Sequence, residues 1–418
     1  VVTAFLLANT VVVLPLGRVA DIVGRKKIFL IGLSIFVIFN IACSLVPTAS
    51  LLIPARVFLG AGSAITLGTS MAILTSAFPP QERGRVLGIN IAVVYSGLTL
   101  GPLLGGVLTQ TLGWRSIFIF GALLALISLV WCLWKIKAEW AEARGEALDY
   151  GGVVIYMLAL VAILYGFSNL PQLSGILITC GGMAAMAVFI FWETKAKYPL
   201  LHLGMFRGNL TFSMSNLAAL FTYLATLGTG FLLALYLQYI KGFSPSVAGL
   251  IMITQPAIMA ILSPFTGSLS DRLEPRMLSS IGMGLLSAGI IMLIFVDAAT
   301  PLGYIIASML VMGAGFGLFT SPNTNAIMSS VDKKFYGVAT GTLATVRTLG
   351  QTMSLAITTI LFTLFIGKEQ IMPQNYPQFM QSMHIALIIF SILCCLGIFA
   401  SLARGRTRLQ GASSNAEL

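Results

Sequence analysis

Two short segments carry the groups best able to do chemistry between helices. GRVADIVGRKK, from Gly17 to Lys27, and GSLSDRLEPR, opening at Gly267, each place an aspartate four residues after a glycine, with arginine following. Asp21 can face a helix N-terminus, where a carboxylate is stabilised, and Arg25 can pair with a carboxylate. Gly17 allows another helix to approach closely, and Gly24 permits a tight turn. Such a set can latch a helical bundle. A basic loop whose aspartate merely caps a helix reads the same way locally. Two further arginines, Arg56 and Arg347, lie inside apolar runs. Arg56 sits near the end of its run, where it can snorkel; Arg347 lies deeper. The five cysteines have no C-x-x-C spacing and no close histidine. His202 and His384 stand near the ends of apolar runs, and neither H-E-x-x-H nor a Walker A sequence is present. Neither a disulfide nor a metal site is indicated, an intramembrane zinc hydrolase has no visible ligands, and no Walker A sequence points to ATP.

The elements that must position these groups are membrane-spanning helices. Hydrophobic residues form 57% of the 418 positions and charged residues 9%, against roughly 25% charge in ordinary soluble domains. Counting uncharged stretches of about 20 residues gives thirteen spans: 1–16, 28–46, 52–77, 86–109, 116–134, 151–169, 173–192, 211–239, 246–268, 277–296, 302–329, 338–366 and 382–403. Of 24 Lys and Arg residues, 19 fall in one set of alternate loops or the tail, while Arg115, Lys241 and Lys368 occupy the opposite set. Positive residues remain on the cytoplasmic side. This predicts a cytoplasmic C-terminus and an external Val1. Trp131, Trp134 and Trp192 at inner ends and Trp114 at an outer end suit interfacial anchoring. The formal charge of +11 is dispersed over short loops, so nucleic acid is not an expected partner.

The expected organisation is an N-terminal bundle over 1–134 and a C-terminal bundle over 211–403. Between them lie a charged linker at 135–150, read as a solvated cytoplasmic helix, two inserted spans at 151–192, and a cytoplasmic loop at 193–210. A cytoplasmic tail covers 404–418. The paired G-x-x-x-D segments suggest related halves, as in many transporters. Opening on apolar Val1, without a basic flank, reads as a piece lacking one upstream helix.

In the fourth span GLTLGPLLGG sets Gly97, Gly101 and Gly105 four residues apart, followed by Gly106. One face is thereby stripped for tight packing, and Pro102 favours a bend. With this run, the Gly17–Lys27 segment, GWRSIF at Gly113, DYGGVVIYMLAL at Asp149, SPNTN, and YGVATGTLATVRTLGQT around Arg347, the chain resembles the fourteen-helix drug:proton antiporter branch of the major facilitator superfamily. The resemblance covers essentially the whole chain. It implies an all-α membrane fold of two pseudo-symmetric six-helix bundles plus two central helices. It also implies export of amphipathic drugs or toxic compounds against inward proton flow, by alternating access and without cofactors.

The resemblance makes the Gly17–Arg25 segment, with Asp271 and Arg272, a gating device. It also makes Gly97–Gly106 an antiporter motif facing the other half. Arg56, followed by Gly60, resembles the family's proton-coupling motif, although Leu59 stands where glutamine is frequent. Tyr95, Asn216, Tyr223, Gln255, Asn325, Arg347 and Gln351 are cavity candidates; interhelical packing is the competing role for each. All 13 acidic residues fall in loops, span ends or the tail, so the principal proton carrier is expected in the absent first helix. Expected partners are the lipid bilayer, a small amphipathic substrate and protons; a periplasmic adaptor is left open. The expected location is the plasma (inner) membrane. Alternative functions are export of one metabolite or siderophore, and a membrane receptor without transport.

Overall fold

The computed structural model describes residues 2–367 and 371–405, apart from the side chains of residues 2, 3, 49, 102 and 103. The expected bend at Pro102, Lys368, and the tail beyond residue 405 lie outside the described residues.

All regular secondary structure among the described residues is helical, with no strand. In chain order the helices are α1 (Val2–Val23), α2 (Arg25–Leu45), α3 (Ala49–Ala77), α4 (Arg83–Leu112), α5 (Arg115–Lys135), α6 (Tyr150–Ser168) and α7 (Leu173–Glu193). They continue as α8 (Gly204–Arg207), α9 (Leu210–Leu235), α10 (Pro245–Met252), α11 (Thr254–Ser270), α12 (Pro275–Ile294), α13 (Leu302–Ser329), α14 (Tyr336–Phe365) and α15 (Tyr376–Ala403). A π turn, Tyr236–Ile240, extends α9, and α10 runs into α11 as a single span. Among the described residues, thirteen segments are long and apolar enough to cross a bilayer. In hydrocarbon each backbone polar group must find an internal partner, which selects helices. Polar side chains conform by bonding their own helix: Thr342 donates to the Val338 carbonyl at 2.8 Å, and Thr229 to that of Ala225 at 2.7 Å.

Helices α1, α2, α3 and α5 pack together, with α4 turned away toward α11; α9 and α11–α15 form the second group. The groups meet mainly along two pairs, α1 with α14 and α4 with α11, with lesser contacts of α3 with α14 and α4 with α13. Helices α6 and α7 lie against each other, and α6 touches α1 and α14. Asp149 secures this inserted pair by accepting from Gly152 N at 3.0 Å and from the Trp192 indole at 2.9 Å. Tyr156 on α6 joins α14 through a 2.8 Å bond with Thr345.

Three expectations change. The Gly17–Lys27 segment is not a loop: α1 continues to Val23, and Gly24, at φ 129°, is the single break before α2. Amphipathic polarity at the end of α1 hid the last two turns, because their polar groups are buried rather than solvated. The 135–150 linker is not a solvated helix but a strap, extended except for a turn near residues 142–145. Besides the bonds of its own turn, it is tied to the Asp21–Arg25 corner: Arg25 N donates to the Trp140 carbonyl at 2.9 Å, and Ala143 N to that of Asp21 at 3.0 Å. Arg404, expected at the start of a solvated tail, is buried, bonding Ser401 and the Ser215 hydroxyl of α9.

Candidate functional site: two interhelical latches and a cavity

At the end of the bundle that carries most basic residues, the two groups of helices are fastened twice by the same device. Asp21, on the last turn of α1 and wholly buried, accepts from the backbone N–H of Gly337 at 3.0 Å and of Val338 at 3.3 Å. Those are the second and third residues of α14, whose unpaired amides and positive dipole end favour an anion. Asp271, just past the end of α11, accepts from Gly84 N at 2.7 Å and Arg85 N at 2.9 Å. Those are the second and third residues of α4.

The glycines match as well. An added Cβ on Gly17 would strike the Gly337 carbonyl oxygen, and one on Gly337 would strike that of Gly17. Gly84 and Gly267 exclude side chains from each other in the same reciprocal way. Each latch therefore combines a glycine crossing with a carboxylate four residues on, set against the helix start it faces. Sequence reasoning identified Gly17, Asp21, Gly267 and Asp271 on one side of the latches but missed Gly84 and Gly337 on the facing helices. Their signal was a G-x-x-x-G opening each receiving helix, Gly84/Gly88 and Gly337/Gly341.

The surroundings differ. Arg25, also wholly buried, pairs with Asp21 at 2.7 Å, donates to Ser76 at 2.5 Å and to the Lys333 carbonyl, and lies 5.2 Å from the Tyr336 ring centre. The strap adds Glu139, whose carboxylate receives Lys26 N at 2.9 Å and Lys27 N at 3.1 Å at the start of α2. It also adds Glu146, ion-paired with buried Arg18. At the second latch Arg272 is exposed and makes no such pair. Asn325 donates to the Ser270 hydroxyl at 3.0 Å and reaches Asp271 at 3.5 Å, so it belongs to this latch rather than to a cavity. Burial raises the Asp271 carboxyl above its usual range, against the lowering effect of the Arg85 and Gly84 amides.

Toward the opposite end the groups part. The four glycines Gly97, Gly101, Gly105 and Gly106 have nothing within 4 Å of an added Cβ, so the stripped face does not pack in this conformation. A cavity of about 380 Å³ opens there, between α1, α6, α9 and α14. Asn9, Thr10, Thr348, Gln351 and Thr352 supply its polar wall, and Leu164, Phe167 and Leu227 part of its apolar wall. At mid-span, Arg347 packs over the Tyr223 ring at 5.4 Å. Phe316 stands edge-on to both Tyr223, at 5.7 Å, and Tyr95, at 6.0 Å. Of the cavity candidates Gln351 lines this cavity, while Arg347, Tyr223 and Tyr95 cluster around Phe316 outside its lining. Asn216 belongs to neither: it is buried and bonds the Phe212 carbonyl of its own helix. Gln255 sits partly buried at the start of α11. Gly60 is a close approach, where a Cβ would hit the Phe5 carbonyl of α1. Arg56 lies over Phe118 at 4.6 Å with its Nε unpaired.

The arrangement is one of two helical groups latched at one end and parted at the other. The chain matches the Major Facilitator Superfamily over residues 1–204 and 215–417, and it belongs to that superfamily. The riboflavin transporter RibZ of Clostridioides difficile is 29% identical over 90% of this chain and 81% of its own length. Multidrug resistance protein Stp of Mycobacterium tuberculosis (strain CDC 1551 / Oshkosh) is 30% identical over 85% of this chain and 67% of its own. The solved human organic anion transporter MFSD10 shares the fold, with a TM-score of 0.69 at 14% identity, covering 95% of this chain and 82% of that one. The matched proteins are transporters rather than enzymes, and drug-resistance members are among the relatives.

Proposed function

We propose that the protein exports amphipathic drugs or related toxic compounds in exchange for protons. In this reading the bundles 1–134 and 211–403 rock about the inserted helices of 151–192. The carrying observation is the double latch at the basic end combined with the open cavity at the other. Breaking both latches exposes the cavity to the basic side, and the bare glycine face of α4 is then available to pack where the bundles close. Drug-resistance relatives support the substrate class, and the basic latched end is assigned to the cytoplasm of a plasma-membrane protein. Of the proton-coupling candidates, Arg56 has an unpaired nitrogen free to respond to a neighbour's charge, whereas Gly60 acts by letting α1 and α3 touch.

Specific metabolite export is the second reading, favoured by the riboflavin transporter relative. Purified protein in vesicles with an imposed pH gradient, followed with ethidium and tetracycline beside an internal pH dye, separates the two. Drug movement linked to proton flow is expected. Riboflavin flux without drug flux would give the second reading precedence.

A further inference from the structure

Apart from the latches and the cavity between the bundles, the basic end carries a cleft where the strap runs into α6 and α7 ends. It encloses about 530 Å³, and Asp149, Phe191, Trp192, Lys195, Lys197 and Tyr198 are in its lining. Two sets of bonds hold its walls. The Asp149 carboxylate accepts from Gly152 N at 3.0 Å and from the Trp192 indole at 2.9 Å, which ties the start of α6 to the last turn of α7. The Glu193 carboxylate accepts from Leu201 N at 2.9 Å, so the chain after α7 folds back toward the helix end, and Lys195 and Lys197 on that turn line the cleft.

The lining is divided by chemistry. Both ammonium groups stand over aromatic rings, Lys195 Nζ 4.4 Å from the Phe191 ring centre and Lys197 Nζ 5.5 Å from that of Tyr198. The carboxylate in the lining, Asp149, caps α6, and its oxygens are turned onto the Gly152 amide and the Trp192 indole. Toward an incoming ligand the cleft is therefore cationic. Its other side is apolar. Helix α7 packs chiefly against α6, and Leu177, Ala184, Val188 and Phe191, at helical spacing, form an exposed stripe along it. Phe191 belongs to both stripe and cleft, so the stripe leads from the hydrocarbon into the lysine-lined mouth. Trp192 and Tyr198 stand at the depth where amphipathic rings meet headgroups.

We propose that this cleft holds the headgroup of an anionic phospholipid, with its phosphate between Lys195 and Lys197 and an acyl chain along the Leu177–Phe191 stripe of α7. Basic pockets at the ends of transmembrane helices suit such headgroups. A free phosphate uses the lysines alone, whereas the aromatic lining and the exposed stripe fit the glycerol and chain of a lipid. The cleft shares no residue with the cavity between the bundles, so the inference is independent of the export reading.

The test reads lipid contact at Trp192 in vesicles, using the full chain with Trp114→Phe, Trp131→Phe, Trp134→Phe and Trp140→Phe. Lipids brominated near the headgroup end of their chains quench an indole that they touch. In a phosphatidylcholine bilayer, brominated phosphatidylglycerol is expected to associate at Trp192 at least about fivefold more strongly than brominated phosphatidylcholine. Lys195→Gln with Lys197→Gln should bring that ratio to about one, and Lys195→Arg with Lys197→Arg should keep it, because the charge is retained. Inorganic phosphate should leave the quenching unchanged. Native mass spectrometry of the chain with all five tryptophans gives a second readout: one retained phosphatidylglycerol fewer in the double glutamine variant. Equal association of the two lipids, or a preference that survives the double glutamine variant, overturns the inference. Displacement by inorganic phosphate does so too, in favour of a soluble anion, as does an indole that neither lipid reaches, in favour of a protein segment over the cleft.

Discussion

The two latches share a backbone and differ in charge. Asp21 and Asp271 stand four residues after a glycine and accept from the second and third amides of the facing helix. Only Asp21 also holds a buried arginine and lies under the strap. The comparison teaches that pseudo-symmetry fixes where the halves touch, while side chains outside the repeat set how firmly. The first latch is the stronger fastening. The second, partly in water and without an ion pair, is the one able to yield first.

The largest effect is expected at the first latch. Asp21→Asn leaves the Arg25 charge buried without its partner, a change that costs about 3–5 kcal/mol in comparable buried pairs. The thermal midpoint should fall and flux collapse; an unaltered midpoint would remove the claim that this pair secures the closed end. Next come the receivers. Gly337→Val and Gly84→Val each force the facing carbonyl away, so spin labels across the basic end should report separation while the helices stay intact. Gly97→Ala meets open space and should leave that latched distance unchanged, yet reduce flux if α4 must pack when the other end closes. Glu146→Gln comes third, at about 1–2 kcal/mol, because it unpairs Arg18 but Glu146 itself remains partly in solvent.

The smallest effect concerns pH at the second latch. Closure buries Asp271 and raises its pKa, so the closed latch binds a proton more tightly than the open one. Acidification through the window above the ordinary carboxylate value should therefore favour closure, and alkaline conditions should restore the full cost of burying the charge. Label separation between Gln81 and Arg272, followed against pH, should show this slope, and Asp271→Asn should abolish it. A slope of opposite sign would mean that the amide bonds of Gly84 and Arg85 outweigh desolvation.

Much of this was legible in the sequence because the bilayer reduces structure to helices: the thirteen spans follow from length and hydropathy. Asp21 and Asp271 were legible through the family resemblance of the Gly17–Lys27 segment and its echo at Gly267, since the G-x-x-x-D spacing alone also fits a helix cap. Their receivers were not. Gly337 is 316 positions from Asp21, and no local spacing encodes which helix start an aspartate will face. The strap was misread because its charges suggest solvent, whereas Glu139 and Glu146 are spent on the start of α2 and on Arg18. Asn325 was placed in the cavity because an asparagine within a span reads as a substrate contact; its bond to Ser270 shows that it secures the second latch.

The central claim is that the latched end must open in every transport cycle. Cysteines at Gln81 and Arg272, which border one pocket at the second latch, should be introduced after replacing Cys43, Cys132, Cys180, Cys394 and Cys395, and oxidised in vesicles. The account predicts that cross-linking stops drug flux and that reduction restores it. Undiminished flux through fully cross-linked protein would contradict it.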